Sequence, residues 1–190
     1  MRMFAAITPS PEAVEDLAEF LEPRREVDSP LRWTLPDQWH VTVAFMAQVP
    51  ERSLDDLTDR LARAAKRRTP WSCRIAGAGA FPDPADGKVL WAGVEAQDDH
   101  GAEELRRLAT GARAAAGKAG ADVDGGRFHP HLTLARLRHR QELTRWLRVF
   151  DAYRGPVWAV TELVLVESRL GEGPNGKPRY DTVETFPLGG

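Results

Sequence analysis

Two four-residue segments of the chain share one pattern of residue types: His40-Val41-Thr42-Val43 and His131-Leu132-Thr133-Leu134. With 5 histidines in 190 residues, about 0.05 copies of His-apolar-Thr-apolar are expected by composition alone. Threonine and alternating apolar residues are common in strands, yet a roughly tenfold allowance for that still leaves two copies beyond chance. In an extended strand, side chains two residues apart leave the same face. Each segment therefore presents an imidazole beside a hydroxyl, and two such strands facing each other make a site of four groups. An imidazole ordinarily titrates near ~6.5, so a protonated and a neutral one can bracket an in-line displacement at phosphorus. Hydroxyls and a nearby guanidinium can hold the non-bridging oxygens as negative charge grows on them. This is phosphodiesterase chemistry, best suited to a strained cyclic ester, and it requires no metal or cofactor.

One histidine in a strand is more often structural, and it is the pairing that points to catalysis. His129 stands two residues before His131 and suggests a metal pair, but Pro130 marks entry into the strand and no Asp, Glu or Cys cluster accompanies it. No metal is expected. Trp33 and Tyr180 are candidates to stack on a nucleobase, with packing an equal alternative, and Arg138-His139-Arg140 reads as a solvated basic loop.

The elements that must position these groups follow from periodicity. Met3 to Ile7 reads as a buried strand, followed by a cap at Ser10 and a helix with Val14, Leu17, Ala18 and Leu21 on one stripe. His40 to Phe45 has period two, which puts His40 and Thr42 on one face and Val41, Val43 and Phe45 on the other. A second helix begins near Ser53 and carries Leu54, Leu57, Leu61, Ala64 and Ala65 inward, ending in Lys66-Arg67-Arg68. The plan then repeats. Val89 to Val94 is a strand, Asp99 caps a helix with Leu105, Leu108, Ala109 and Ala112, and His131 to Ala135 is again a strand. Leu143, Trp146, Leu147 and Phe150 mark another helix, placed from about residue 140, before a long strand Val157 to Val166 and a last strand from about Arg179 to Phe186. Corresponding elements recur at a nearly constant offset of about 90 residues, the mark of a duplication. The expected fold is α+β: duplicated strand-helix-strand halves forming two mainly antiparallel sheets around a central cleft, related by a pseudo-two-fold, with helices outside.

Length and composition fit one bilobal domain over residues 1–190. A net charge of −2 gives no long-range attraction for long polyanions, although Arg67-Arg68 and the stretch from Arg136 to Arg140 leave room for a small anion or one end of a nucleic acid. The single cysteine, Cys73, excludes an intrachain disulfide and a thiolate zinc cage, and fits a reducing compartment. No apolar run approaches the ~18 residues that span a bilayer, and Met3 to Ile7 is shorter than the apolar region of a signal peptide. A cytoplasmic protein without membrane contact is expected, monomeric and with no obligate protein partner.

With these residues in place, the chain resembles the RNA 2′,3′-cyclic 3′-phosphodiesterases, also called 2′-5′ RNA ligase-like proteins, of the two-histidine phosphoesterase superfamily. The resemblance runs through Met1 to Ile7, Arg32-Trp33, His40 to Phe45, Gly79-Ala80-Phe81-Pro82, Val89 to Val94, Arg127 to Arg136, and the late segment from Leu163 to Tyr180. It implies opening of an RNA 2′,3′-cyclic phosphate to a terminal 2′-phosphate, without metal or cofactor. It also implies that His40 is the proton donor to the departing 3′ oxygen and His131 the acceptor from the attacking water. Thr42, Thr133 and Arg136 would bind the phosphate, and the reverse reaction would be weak 2′-5′ ligation. Two departures stand out: Lys88 replaces the arginine that commonly precedes the Val-Leu-Trp strand, keeping charge but losing the bidentate fork, and Phe45-Met46-Ala47 replaces Phe-Leu-Gly. Two other readings remain open at this point. One keeps the chemistry on another cyclic nucleotide or a 2′-5′ oligonucleotide, and the other is a non-catalytic RNA- or nucleotide-binding module.

Overall fold

Ser10, three residues beyond the end of the first strand, starts the first helix: its hydroxyl accepts the Ala13 N–H at 3.2 Å, and Pro11 occupies the first helical position. The computed structural model describes residues 1–25 and 29–190. Its strands are β1 (Met3–Ile7), β2 (Arg32–Trp33), β3 (Val41–Gln48), β4 (Trp71–Phe81), β5 (Gly87–Ala96), β6 (Asp122–Val123), β7 (His131–Gln141), β8 (Trp158–Val160), β9 (Glu162–Arg169) and β10 (Arg179–Pro187). Its α-helices are α1 (Pro11–Leu21), α2 (Leu54–Lys66), α3 (Asp99–Lys118) and α4 (Thr144–Val149).

The strands form two five-stranded sheets in the orders β10-β9-β1-β3-β6 and β2-β7-β5-β4-β8, with every pairing antiparallel. The expected α+β class with two antiparallel sheets is what the chain adopts. The two halves also exchange edges. β2 precedes β3 in sequence but pairs with β7, while β6 precedes β7 but pairs with β3. Each histidine strand is thus bordered by a short strand from the other half's register. α1 is tied to the second half in the same way, with Phe20 against Phe150 at 5.0 Å between ring centroids and the Tyr153 hydroxyl donating to Asp16 Oδ2 at 2.7 Å.

Alternation decides which face of the first sheet does what. Met3, Ala5, Ile7, Val41 and Val43 join Leu57, Leu61, Leu105 and Leu108 in the main core, beneath α2 and α3. Phe4, Ala6, Val164 and Val166 face the other way and form a second small cluster with Phe45 and Tyr180. That second face is the floor of the cleft.

Several sequence expectations need correction. The α3 cap is Asp98, whose Oδ1 accepts the Gly101 N–H at 2.7 Å, so Asp99 is the first helical residue. The strand expected over Val157 to Val166 is two strands, because after β8 on the edge of one sheet the chain crosses at Thr161 to run as β9 in the other. The helix expected from about residue 140 begins at Thr144 and spans 6 residues, since β7 continues to Gln141. β4 has no counterpart among the expected strands: Gly77 and Gly79 blur its pattern, and a register shift between Ile75 and Ala78 breaks its alternation.

Candidate functional site

The face that each residue takes is set by matched bulges. On β3, Ala44 lies opposite Ala5 but Thr42 lies opposite Ala6, so Val43 is an extra residue. On β7, Ala135 lies opposite Leu90 but Thr133 lies opposite Trp91, so Leu134 is the extra residue. A bulge shifts the alternation by one. The fully buried pairs Val43-Ala44 and Leu134-Ala135 both point inward, and the next residues, Phe45 and Arg136, turn to the face of Thr42 and Thr133. This overturns the placement of Phe45 opposite His40, which strict alternation gave. It also explains how Arg136, an odd number of residues beyond His131, shares that histidine's face.

The five residues singled out by sequence, His40, Thr42, His131, Thr133 and Arg136, line one cavity of about 300 Å³ between the sheets. The backbone holds both imidazoles alike. His40 Nδ1 lies 2.8 Å from the Gln38 carbonyl oxygen and His131 Nδ1 lies 2.6 Å from that of His129. A carbonyl oxygen only accepts, so each Nδ1 carries a hydrogen and Nε2 is the nitrogen left to exchange a proton. Aromatic rings fix the planes. Phe4 stacks on His40 at 4.3 Å and 17°, and Tyr180 meets it edge-on at 5.6 Å. Phe81 meets His131 edge-on at 4.9 Å, with Trp91 at 5.9 Å.

Burial is the main cause that pushes the His40 pKa down, to about 4; the Gln38 hydrogen bond opposes it, while the fields of His131 and Arg136 add to it. His131 is also lowered, again chiefly by burial, with the His129 hydrogen bond opposing and His129 and Arg136 adding. Burial thus biases both imidazoles toward the neutral form. An anion between them would raise both values, because an opposite charge favours the protonated form.

Sequence reasoning missed several residues of this cavity. Arg2 lines it and lies over the Phe45 ring at 4.5 Å. Gln38 holds His40 through its carbonyl and anchors itself by donating from Nε2 to the Pro178 carbonyl at 2.8 Å. Phe4, Asp124 and Ser168 also face the cavity. The only local signal for Gln38 was its position two before His40, matching His129 before His131. Tyr180 reaches the cavity, whereas Trp33 packs against Trp146 at 5.2 Å. Arg138, His139, Arg140 and Lys88 are exposed elsewhere, and Arg140 pairs with Asp86 at 3.3 Å. His100 is exposed, with Nε2 3.0 Å from Thr69 Oγ1. Among the described residues no three His, Cys, Asp or Glu side chains gather as a metal site, and no helix is long and apolar enough to cross a membrane.

Comparison with known proteins bears on this cavity. The family model described as the 2′-5′ RNA ligase superfamily matches residues 8–172. An RNA 2′,3′-cyclic phosphodiesterase of Thermus thermophilus is 33% identical, the match covering 100% of this chain and 91% of that protein. One from Aquifex aeolicus is 29% identical over 94% of this chain and 93% of its own length. The crystal structure of TT0787 from Thermus thermophilus superposes with a TM-score of 0.74 at 28% identity, covering 100% of this chain and 99% of that one.

Proposed function

Because the chain belongs to the 2′-5′ RNA ligase superfamily, and relatives matching nearly its whole length are RNA 2′,3′-cyclic phosphodiesterases, we propose that it opens RNA 2′,3′-cyclic phosphates to 2′-phosphate ends by acid–base catalysis between His40 and His131. One observation carries the reading: two imidazoles, each locked at Nδ1 by the carbonyl two residues back, share a cavity with two threonine hydroxyls and a guanidinium.

In this reading the cyclic phosphate sits between the histidines with its non-bridging oxygens on Thr42, Thr133 and Arg136. A water on the His131 side attacks phosphorus opposite O3′, and Nε2 of His131 takes its proton. The P–O3′ bond breaks, Nε2 of His40 gives its proton to the departing O3′, and a 2′-phosphate remains. The lowered pKa of His40 disfavours its holding that proton by itself. The phosphate anion supplies the countercharge that lets His40 carry it once substrate is bound, so the acid is charged by its own substrate. With a 5′ hydroxyl attacking in place of water, the same steps in the same direction give a 2′-5′ linkage, His131 taking the hydroxyl proton and His40 protonating O3′.

The test is turnover of a short oligoribonucleotide ending in a 2′,3′-cyclic phosphate, with EDTA present. A 2′-phosphate product that is lost in His40→Ala and His131→Ala is the expected result. A 3′-phosphate product, or activity abolished by EDTA and restored by a divalent metal, would overturn the proposal.

A further inference from the structure

On the far side of the first sheet from the cleft, α2 and α3 run antiparallel, as shown by Arg68 at the end of α2 reaching Glu104 near the start of α3 at 3.4 Å. Between their outer faces lies a groove of about 200 Å³ walled by Arg60, Arg63, Arg67, Arg68, Arg107 and Lys118. Its floor is small: a Cβ on Gly111 would already touch Ala64 at 3.5 Å. The helical repeat creates the groove, because Arg60, Arg63, Arg67 and Arg68 are spaced i, i+3, i+7 and i+8, on one stripe of α2 and the turn beyond it.

Six cations in a chain of net charge −2 is a strong local concentration. No carboxylate is among the described residues that line the groove. Arg60 and Arg107 have partners in Asp56 and Glu103, but both pairs are exposed, and such pairs contribute little. Arg68 is held in place by the buried carboxylate of Glu104, which also accepts the Thr69 N–H at 2.7 Å. Arg63, Arg67 and Lys118 make no ion pair or side-chain hydrogen bond among the described residues. Like charges three and four residues apart repel. The dipoles of the helix C-termini offset this near Arg67 and Lys118 but not at Arg60 and Arg107, which lie in mid-helix. Among the described residues that line the groove there is no aromatic ring to stack on a base.

We propose that this groove is a second binding site, separate from the cleft, for the phosphate groups of a polyphosphate anion, which it recognises without reading a base. The anion is either a stretch of RNA backbone or a free polyphosphate, and both present the same chemistry to the guanidinium rows. The site does not depend on the reaction proposed for the cleft.

Binding of inorganic tripolyphosphate by calorimetry tests it, comparing the wild type with Arg63→Glu/Arg67→Glu, two exposed positions outside the cleft. The double variant should bind at least about tenfold more weakly, with a shallower dependence of log K on log salt. Arg136→Ala, which alters the cleft, should leave the groove's binding in place. Unchanged affinity in the double variant, or loss of all binding in Arg136→Ala, would overturn the proposal. Arg63→Gln/Arg67→Gln, which removes charge without reversing it, should weaken binding to an intermediate degree, and an unchanged thermal midpoint in both variants excludes misfolding. A second arm separates the sources. If RNA is the ligand, KM rises in the charge-reversed variant for a long cyclic-phosphate RNA but not for a dinucleotide; if a free polyphosphate is, both KM values stay put while tripolyphosphate binding is still lost.

Discussion

His40 and His131 are held by the same device, yet their surroundings differ. Phe4 lies flat against His40 at 4.3 Å, whereas Phe81 offers His131 only its edge at 4.9 Å. Opposite Thr42 across the strand pair stands Ala6, and opposite Thr133 stands Trp91. After the matched bulges, one half places Phe45 on the cleft face and the other places Arg136. A duplicated scaffold thus gives the two histidines the same geometry and different electrostatics. Backbone register fixes where each Nε2 stands, while the side chains beside it decide how readily it holds a proton. His40, the more strongly depressed of the two, is the one assigned to give a proton away.

The largest expected effect comes from removing either imidazole. His40→Ala and His131→Ala should each lower kcat by roughly 10²–10⁴-fold, with the fold intact by circular dichroism. Near-wild-type kcat in either variant would break the pairing. Next is the difference at the bulges. Arg136→Ala should lower kcat/KM by about 10²-fold, with Arg136→Lys recovering part of the loss because it keeps the charge without the fork. Arg2→Ala, on the Phe45 side, should lose less than about tenfold, since Arg2 reaches the cavity from the residue before β1 with its guanidinium over the Phe45 ring. Equal losses at the two positions would remove the proposed asymmetry.

A smaller effect is expected at Gly79, which lies opposite Trp91 and has no room for a Cβ beneath the indole. Gly79→Ala should displace Trp91, cost about 1–3 kcal/mol of stability in chemical denaturation, and lower kcat severalfold through His131. The smallest is a change in pH dependence. With His40 near about 4 and His131 also below its usual 6.5, the one-proton state of the pair is populated in acid. The kcat/KM profile of the wild type should therefore peak below pH 6.5 and fall as pH rises past it. Phe4→Ala admits water to His40, raises its pKa, and should move that peak upward by about one unit.

Much of this was legible in the sequence because alternation and helical spacing are local. The paired histidine-threonine segments and the stripes of α1 and α2 follow from short-range pattern, and the duplication from the recurrence of those local patterns along the chain. The bulges at Val43 and Leu134 were not, since an extra residue in a strand is defined only against its partner strand. Misplacing Phe45 followed directly from that. Arg2, Phe4 and Gln38 were missed for a related reason: they come to the cleft through sheet pairing and a carbonyl contact, neither of which leaves a motif. The split of β8 from β9 was hidden because Val157 to Val166 is apolar enough for either sheet, and only the cross-over at Thr161 divides it.

The central claim is that His40 gives the proton and His131 takes one, and a substrate whose 3′ bridging oxygen is replaced by sulfur tests it most directly. A thiolate leaves without being protonated, so the need for a general acid disappears while the need for a general base remains. With this cyclic phosphorothiolate, His40→Ala should return to within about tenfold of wild type, and His131→Ala should stay at least about 10²-fold below it. Rescue of His131→Ala instead, or no rescue of either variant, would contradict the assignment.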